Sequence, residues 1–512
     1  MNFLESHNSK KLSFSPWLSR IKTYYQKTAH HVRSASNLPK KMSNELSAID
    51  MTRAPYRTIW NLAWPQIIMM VFHFFIGLTD VWVAGHINRE VQASLGIISQ
   101  SLFFLLVVAM AVANGAVAAI SQSMGAGLHK RVKRYVGLCL ILAAIMGGAF
   151  LILGLPFKNM LLAALQVPPE MRPITEYFLT VYLLLLPPYY MLIITNAIFR
   201  ARKQVMYPLY SMMLVTLLNT ILDLGLGLGW FGMPNIGFKG LAWATFGSVA
   251  AGAILNVSIL ARQGLLRLDS FAPLRWMKRA LPYLAKVAWP SGLMQIVWHS
   301  GYLVLYAITA SLPWNAINAL AGMAIGLRIE ALLFLPAFAF NMTASILIGH
   351  YLGAQQPNEA KKFGYRILIL GLVSITLFSV VVWQFITPWV HLLTRDADVA
   401  AQAICYLKWN MLAIPFTLTS MIMAGALNGA GATLYNMFIM GSATWLVRLP
   451  LAYALGHGVM ESAEGIWIAM FCSQIVQSLT LVYFYTFKNW QRFAMIKTRN
   501  GNNRIAAAKE SA

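Results

Sequence analysis

Long apolar stretches alternate with short polar and basic ones along most of the chain. Twelve such stretches follow one another, covering roughly 58–85, 92–123, 135–157, 176–199, 207–230, 237–261, 283–311, 318–349, 364–389, 403–426, 435–455 and 466–487. A helix that crosses a bilayer needs about 20 apolar residues, because hydrocarbon offers no partner to backbone groups. Pieces such as LFFLLVVAMAVANGAVAAI and YFLTVYLLLLPPYYMLIITNAIF meet that requirement almost without charge. Pro187, Pro188, Pro336 and Pro415 fall inside these stretches, and proline is tolerated in membrane helices more than in soluble ones. The pattern predicts twelve spans, one to twelve in chain order.

Composition removes the alternatives. Of 512 residues, 58% are apolar and 11% charged, against roughly 25% charged in an ordinary globular chain. That is too little charge to solvate a globule of this size, and too much apolar surface for disorder. Cys139, Cys405 and Cys472 are scattered and odd in number, which excludes a disulfide scaffold. The net charge of +24 suggests nucleic acid only in a soluble protein; here the charge sits in connecting segments, and no nucleic-acid partner is expected. With both termini cytoplasmic, 31 of the 40 Lys and Arg residues fall on the cytoplasmic side (Arg366 at the start of span nine included). Arg89, Lys158, Arg172, Lys239 and Arg395 fall on the other, and Lys286, Arg328, Lys408 and Arg448 within spans. This asymmetry fits the positive-inside rule with an even number of spans, in the cell (inner) membrane.

Residues 1–57 are polar, basic and rich in Ser and Asn, and lack the apolar core of a signal peptide. They read as a cytoplasmic tail that an anionic leaflet can attract, and FSPWLSRIKTYY (residues 14–25) within it reads as a weak amphipathic anchor.

The two halves repeat each other. Ala63-Trp64-Pro65 and Ala288-Trp289-Pro290 open spans one and seven, 225 residues apart. Gly125-Ala126 matches Gly353-Ala354 and Tyr207 matches Tyr435, both at 228; Gly237 before span six is paired with Gly465 before span twelve. Six spans per repeat is an even number, so both halves enter the membrane the same way round. The expectation is an all-α membrane protein with twelve transmembrane helices in two six-helix lobes, related by a pseudo-two-fold axis along the membrane normal. The parts are a tail at 1–57, lobes at 58–262 and 283–487, a basic cytoplasmic linker at 263–282, and a basic tail at 488–512.

Ionisable groups inside a bilayer are costly and mark function by default. Three acids fall in spans: Asp80 in span one, Asp223 in span five and Glu330 in span eight. Asn219 lies four residues before Asp223, on the same helix face. A carboxylate above an amide makes a hard oxygen site suited to Na⁺ or a proton; the alternative is a structural hydrogen-bonded pair. Arg328 and Glu330 are two residues apart and do not share a face, so Arg328 is assigned to a cleft or to another helix, and a structural ion pair with another helix is the stronger reading for both. Arg448 is read the same way, and Lys408 as a residue reaching for the membrane surface. His73 and His299 read as packed histidines with titration as the alternative. Trp298, Trp383, Phe338 and Phe340 are candidates for an apolar drug path, against the commoner role of facing lipid or core. The string Gly227-Leu-Gly229-Trp-Phe-Gly232 fits a dinucleotide pattern only literally, since no strand precedes it. No ATP-binding lysine motif, metal-ligand cluster or nucleophile elbow appears, so no cofactor is expected and an ion gradient is the expected energy source.

Taken together, Trp64-Pro65, Thr79-Asp80 with Val83-Ala84-Gly85, the Gly125-Ala126 and Gly349-His350-Tyr351-Leu352-Gly353-Ala354 loops, Asn219-xxx-Asp223 and Gly237-xx-Gly240-Leu-Ala-Trp-Ala-Thr245 resemble the MATE (multidrug and toxic compound extrusion) family over about residues 56–487, and its DinF-like branch in particular. The resemblance implies export of cationic or amphipathic small molecules by H⁺ or Na⁺ antiport. It also implies a cation site, possible for Na⁺, made of Asp80, Asn196, Asn219, Asp223 and Thr245. NorM-like members use acids in the C-terminal lobe; Trp298 and Thr417 stand there instead, which leaves Glu330 as that lobe's only acid within a span. A monomer among membrane lipids is expected. The rival readings are a flippase for a lipid-linked precursor, a membrane-embedded enzyme and a channel. A flippase calls for a cationic cleft, for which Arg328 and Arg448 are the available residues; no catalytic spacing supports an enzyme.

Overall fold

The computed structural model describes residues 54–267 and 270–495. The stretch 14–25, most of the N-terminal tail, two linker residues and the C-terminal tail beyond 495 lie outside the described residues. The chain forms two compact units, residues 1–58 and 59–512. Of the first, the described part is an opening helical turn in which Thr58 Oγ1 donates to Ala54 O at 3.1 Å; everything below concerns the second.

Among the described residues, twelve helices are long and apolar enough to cross a membrane: α1 (Pro55–Ile87), α2 (Arg89–Gly125), α3 (His129–Ala164), α4 (Arg172–Ala201), α5 (Met206–Gly227), α6 (Phe238–Arg262), α7 (Leu274–Ala310), α8 (Ala316–Gly353), α9 (Pro357–Gln384), α10 (Ala397–Ala430), α11 (Thr433–Val459) and α12 (Ala463–Phe487). All twelve expected spans are present, and no strand occurs among the described residues. Several helices outrun the apolar stretches that announce them. At 37 residues, α2 is about 55 Å long against a hydrocarbon core of about 30 Å, so polar turns at its ends carry it past the membrane. Local chemistry sets the ends: Asn88 Oδ1 accepts from Val91 N at 2.7 Å to start α2, Asp396 does the same for α10, and Gly431 ends α10 in the left-handed conformation at φ +79°.

The six helices of each half pack alike. In the first lobe α4 packs on α2, α3 and α6; in the second α10 packs on α8, α9 and α12. The lobes meet through α2, which runs against α7 and α8. Along the α2–α7 seam Phe103 and His299 place their rings 4.0 Å apart, and Asn114 Nδ2 donates to Ser291 Oγ at 2.6 Å. By contrast α1 buries only 17% of its most apolar window, where α10 buries 72%. It touches α8 through Gln66 Nε2, which donates to Thr343 Oγ1 at 2.9 Å.

At one end of the seam the backbones of α2 and α8 meet. A Cβ on Gly125 would lie 2.0 Å from His350 O, and one on Gly353 would lie 2.0 Å from Gln122 O. No side chain fits at either position. Gly353→Val is expected to cost about 1–3 kcal/mol through overpacking, read as a lowered midpoint of thermal unfolding in detergent; an unchanged midpoint would mean that the helices do not meet there.

One pairing from the repeat needs correction. Gly465 sits against Leu455 O, and the residue that sits against the corresponding carbonyl, Leu226 O, is Gly240. Gly237 instead makes the turn before α6, at φ +58°. Helices α6 and α12 begin 225 residues apart, the offset of the Trp-Pro pairs. Gly237 and Gly465 share a type and a rough place, while close helix contact needs the missing Cβ at Gly240 and Gly465.

Candidate ion-binding site

Helix α5 runs as an ordinary α-helix to Leu222 and then widens into a π-helical turn, Asp223–Gly227. Two glycines in that turn leave room for neighbours. A Cβ on Gly225 would lie 2.4 Å from Met233 Sδ, and one on Gly227 2.8 Å from Leu241 Cδ1. Widened turns of this kind recur at functional sites because they break the regular ladder of backbone bonds. Here the turn opens at Asp223, which is fully buried, as is Asn219 one turn earlier.

Asp80 on α1 faces both of them, near enough for its carboxyl to feel Asp223 and Asn219. The three side chains come together from two helices: the i, i+4 spacing puts Asn219 and Asp223 on one face, and Asp80 beside them is what the family resemblance implies. Their polar atoms are nevertheless short of partners. Asp80 Oδ1, both carboxylate oxygens of Asp223 and both polar atoms of Asn219 are buried without a hydrogen bond. The ionisable groups that act on the two carboxyls are each other, with no Lys or Arg among them. Two ionised carboxylates this close repel, and buried oxygens without donors are costly. A cation between them removes both costs at once, and the donor set is oxygen throughout, the chemistry that Na⁺ or a proton takes.

Tyr182 on α4 completes the wall, and the sequence reading missed it. It is 4% exposed and stands beside Asp80, Asp223 and Thr245. Its signal was a tyrosine seven residues before Tyr189, hence on the same helix face; Tyr189 also faces Asp80. Thr245, half-buried on α6, donates its hydroxyl to Leu241 O at 3.1 Å and joins the cluster through Tyr182.

Asn196 does not join it. Its Oδ1 accepts from Asn256 Nδ2 at 2.8 Å and from Ser211 Oγ at 3.2 Å. Ser211 lies eight residues before Asn219 on α5, which is about 12 Å of helix. Asn196 therefore belongs to a separate polar layer with Thr195 and Asn256. The residue type matches the implied set, but the depth along the helices does not.

The second lobe holds a different cluster. Glu330 Oε2 accepts from Tyr406 Oη at 2.6 Å, and Tyr406 is packed edge-on against the fully buried Trp467. Arg448, 1% exposed, donates Nε to Ser473 Oγ at 2.9 Å and sits over the Tyr302 ring, 5.9 Å from its centre. Its Nη1 is buried without a partner. Tyr302 faces both charges, yet Glu330 and Arg448 are not within 4.0 Å of each other. The expected ion pair is not formed among the described residues: Glu330 is held by Tyr406, and Arg448 by Ser473. Arg328, two residues from Glu330, is exposed on α8 and makes no ion pair among the described residues.

The remaining candidates separate by exposure. His73 lies on the exposed face of α1, while His299 packs between Phe103 and Trp298. Phe340 is fully buried in the core, whereas Phe338 is 41% exposed. Lys408 is exposed near the start of α10.

Known proteins share this fold. The MatE family model matches twice, at residues 65–224 and 290–454, once in each half. The chain belongs to the MatE family. The two matches begin 225 residues apart, so the duplication read from Trp64-Pro65 and Trp289-Pro290 is that of the family. A relative from Thermotoga maritima, named as a probable multidrug resistance protein NorM, is 26% identical over 437 residues, 85% of this chain and 93% of that protein. A Shewanella oneidensis protein named as an FAD transporter is 24% identical over 434 residues, 83% and 93% of the two chains. The solved structure of the Vibrio cholerae MATE transporter VcmN in the bent form superposes with a TM-score of 0.76 at 19% identity, covering 85% of this chain and 97% of that one. This is therefore a multi-pass membrane protein of the MATE multidrug efflux family, whose relatives are transporters rather than enzymes.

Proposed function

We propose that the chain is a secondary active exporter that exchanges an inbound H⁺ or Na⁺ for outbound cationic or amphipathic small molecules by alternating access. It acts as a monomer in the inner membrane, with both termini cytoplasmic. One observation carries the reading: Asp80 and Asp223 are brought together inside the first lobe, short of donors and without a basic residue. A monovalent cation binding there takes the pair from two negative charges to one, relieves their repulsion and draws α1 toward α5. Helix α1 is free to respond, because it is loosely packed and contains Pro65, a residue that weakens the helix ladder. Its movement displaces cargo from the cleft of the first lobe. One charge moved down 100 mV supplies about 2.3 kcal/mol, enough for roughly a fortyfold cargo gradient when coupling is tight.

The test is dye efflux from reconstituted vesicles with pH and sodium gradients imposed separately. Saturable efflux driven by one of them is expected. Flux that does not saturate and ignores both gradients would identify a channel and overturn the reading.

A second reading of the cargo rests on Arg328. A charge inside a span faces water rather than lipid, so the exposed, unpaired Arg328 offers a cleft an anion contact, and one relative is named for FAD. Inhibition of dye efflux by FAD, with FAD itself transported, would favour it. Arg448 is buried and adds nothing to a cationic cleft, which weighs against a lipid-precursor flippase.

A further inference from the structure

Where α2 meets α8, two side chains cross between the lobes. Gln122 on α2 is fully buried, and its Nε2 donates to Gly429 O at the end of α10, at 2.9 Å. On α8 the ring of His350 donates Nε2–H to Ala201 O at the end of α4, also at 2.9 Å. Residues 122 and 350 are 228 apart, and so are 201 and 429. The two contacts are copies of each other under the repeat, one reaching each way across the seam. With the Gly125 and Gly353 contacts beside them, they close this end of the molecule.

The copies differ in one respect. After α12 the chain makes a short turn, Trp490–Phe493, that is packed in place. Trp490 is 1% exposed, stacked on Tyr485 at 4.7 Å, and gives its Nε1–H to Tyr485 O. Phe493 packs on Tyr435, with the Lys286 ammonium 5.3 Å above its ring. From this second-lobe footing the chain reaches the first lobe. Met495 N donates to Gln122 Oε1 at 2.7 Å, and Tyr135 Oη on α3 donates to Met495 Sδ at 3.3 Å. Gln122 thereby holds both lobes and the chain after α12 with one side chain, its Nε2 also reaching Tyr283 Oη.

We infer that residues 490–495 are a strap that locks this end of the seam shut through Gln122, so that the lobes open here only when Met495 lets go. The inference rests on the alternating-access reading for its meaning, since opening at this end is the step the strap resists. Parting α2 from α8 strips the donors from Gly429 O and Ala201 O, and with the strap in place it also leaves a buried amide acceptor and a backbone N–H unpaired. Unmade buried bonds cost more than made ones return, so the strap acts on the open state. Removing it raises the open population by about tenfold.

The experiment measures the distance between spin labels at Lys130→Cys and Asn358→Cys, exposed residues next to this end of each lobe, in a full-length chain lacking its native cysteines. It needs neither ion nor cargo, so failure of the exporter reading leaves its outcome unaffected. Met495→Pro removes the N–H donor, and Ala494, at φ −56° and ψ 145°, already has the backbone that a following proline favours. Met495→Leu keeps the donor. A single short distance is expected in the parent and in Met495→Leu. A longer second distance, about tenfold more populated, is expected in Met495→Pro and in a chain ending at Asn489. If truncation prevents folding, Met495→Pro decides. The same distance distribution in the parent and Met495→Pro overturns the strap, as does a parent that is already open.

Discussion

Asp223→Asn is expected to reduce ion-driven efflux about a thousandfold while the protein still reaches the membrane in normal amount. Asparagine keeps the shape of the side chain and removes its charge. At an effective dielectric of about 20, a carboxylate and a cation 4 Å apart attract by about 4 kcal/mol, which is close to three decades of ion occupancy. Asp80→Asn is expected to fall nearly as far, because on the proposed reading each acid supplies oxygens to the same cation, and neither has a basic neighbour to take over. The two changes made together are expected to cost little more than either alone, since once the ion is lost there is no second attraction to remove. Efflux under an imposed gradient, normalised to protein in the vesicle, is the measurement. Near-parental export in both single variants would remove the carboxylate pair from the mechanism. Equal losses with far less protein in the membrane would return the pair to a structural role.

How much of this was legible from the chain depends on what each feature is made of. Twelve spans were legible because hydrocarbon imposes length and apolarity on every crossing, and the Trp64-Pro65 and Trp289-Pro290 pairs marked the duplication at its true offset. The shared face of Asn219 and Asp223 was legible from their i, i+4 spacing, and Asp80 was marked by the cost of a charge within a span; that Asp80 meets them was implied by the family resemblance alone. Depth was not legible. Asn196 has the right residue type for the cluster but lies near the end of α4, where Ser211 and Asn256 hold it; only packing tells which residues of neighbouring helices share a level. Tyr182 escaped notice because a tyrosine in a span is ordinary until the acids beside it are located. The crossed contacts of Gln122 and His350 were hidden because both donate to backbone carbonyls, and a carbonyl carries no residue type for a sequence to display.

In the second lobe, Glu330→Gln is expected to destabilise the protein by about 1–3 kcal/mol, through loss of the charged acceptor of the Tyr406 hydroxyl and of the acid on Arg448's side of Tyr302. Arg448→Met is expected to cost less. The difference follows from chemistry: arginine does not shed its proton in a protein, whereas a glutamate left alone takes one up. With Glu330 neutralised, Arg448 keeps its charge beside Tyr302 and Ser473, with one nitrogen already unpartnered. With Arg448 replaced, Glu330 becomes a neutral acid hydrogen-bonded to Tyr406. Combining the two substitutions removes both charges, and is expected to recover most of the loss seen in Glu330→Gln, as replacement of buried ion pairs by neutral side chains often does. Thermal unfolding in detergent gives the stabilities, and efflux from vesicles gives the activity. The double variant is expected to retain ion-driven efflux, because the proposed cation site, Asp80 with Asp223, lies in the other lobe. A Glu330→Gln protein as stable as the parent but unable to transport would reverse this assignment. It would make Glu330 the ion-carrying acid and leave the first lobe's pair to position α1 against α5.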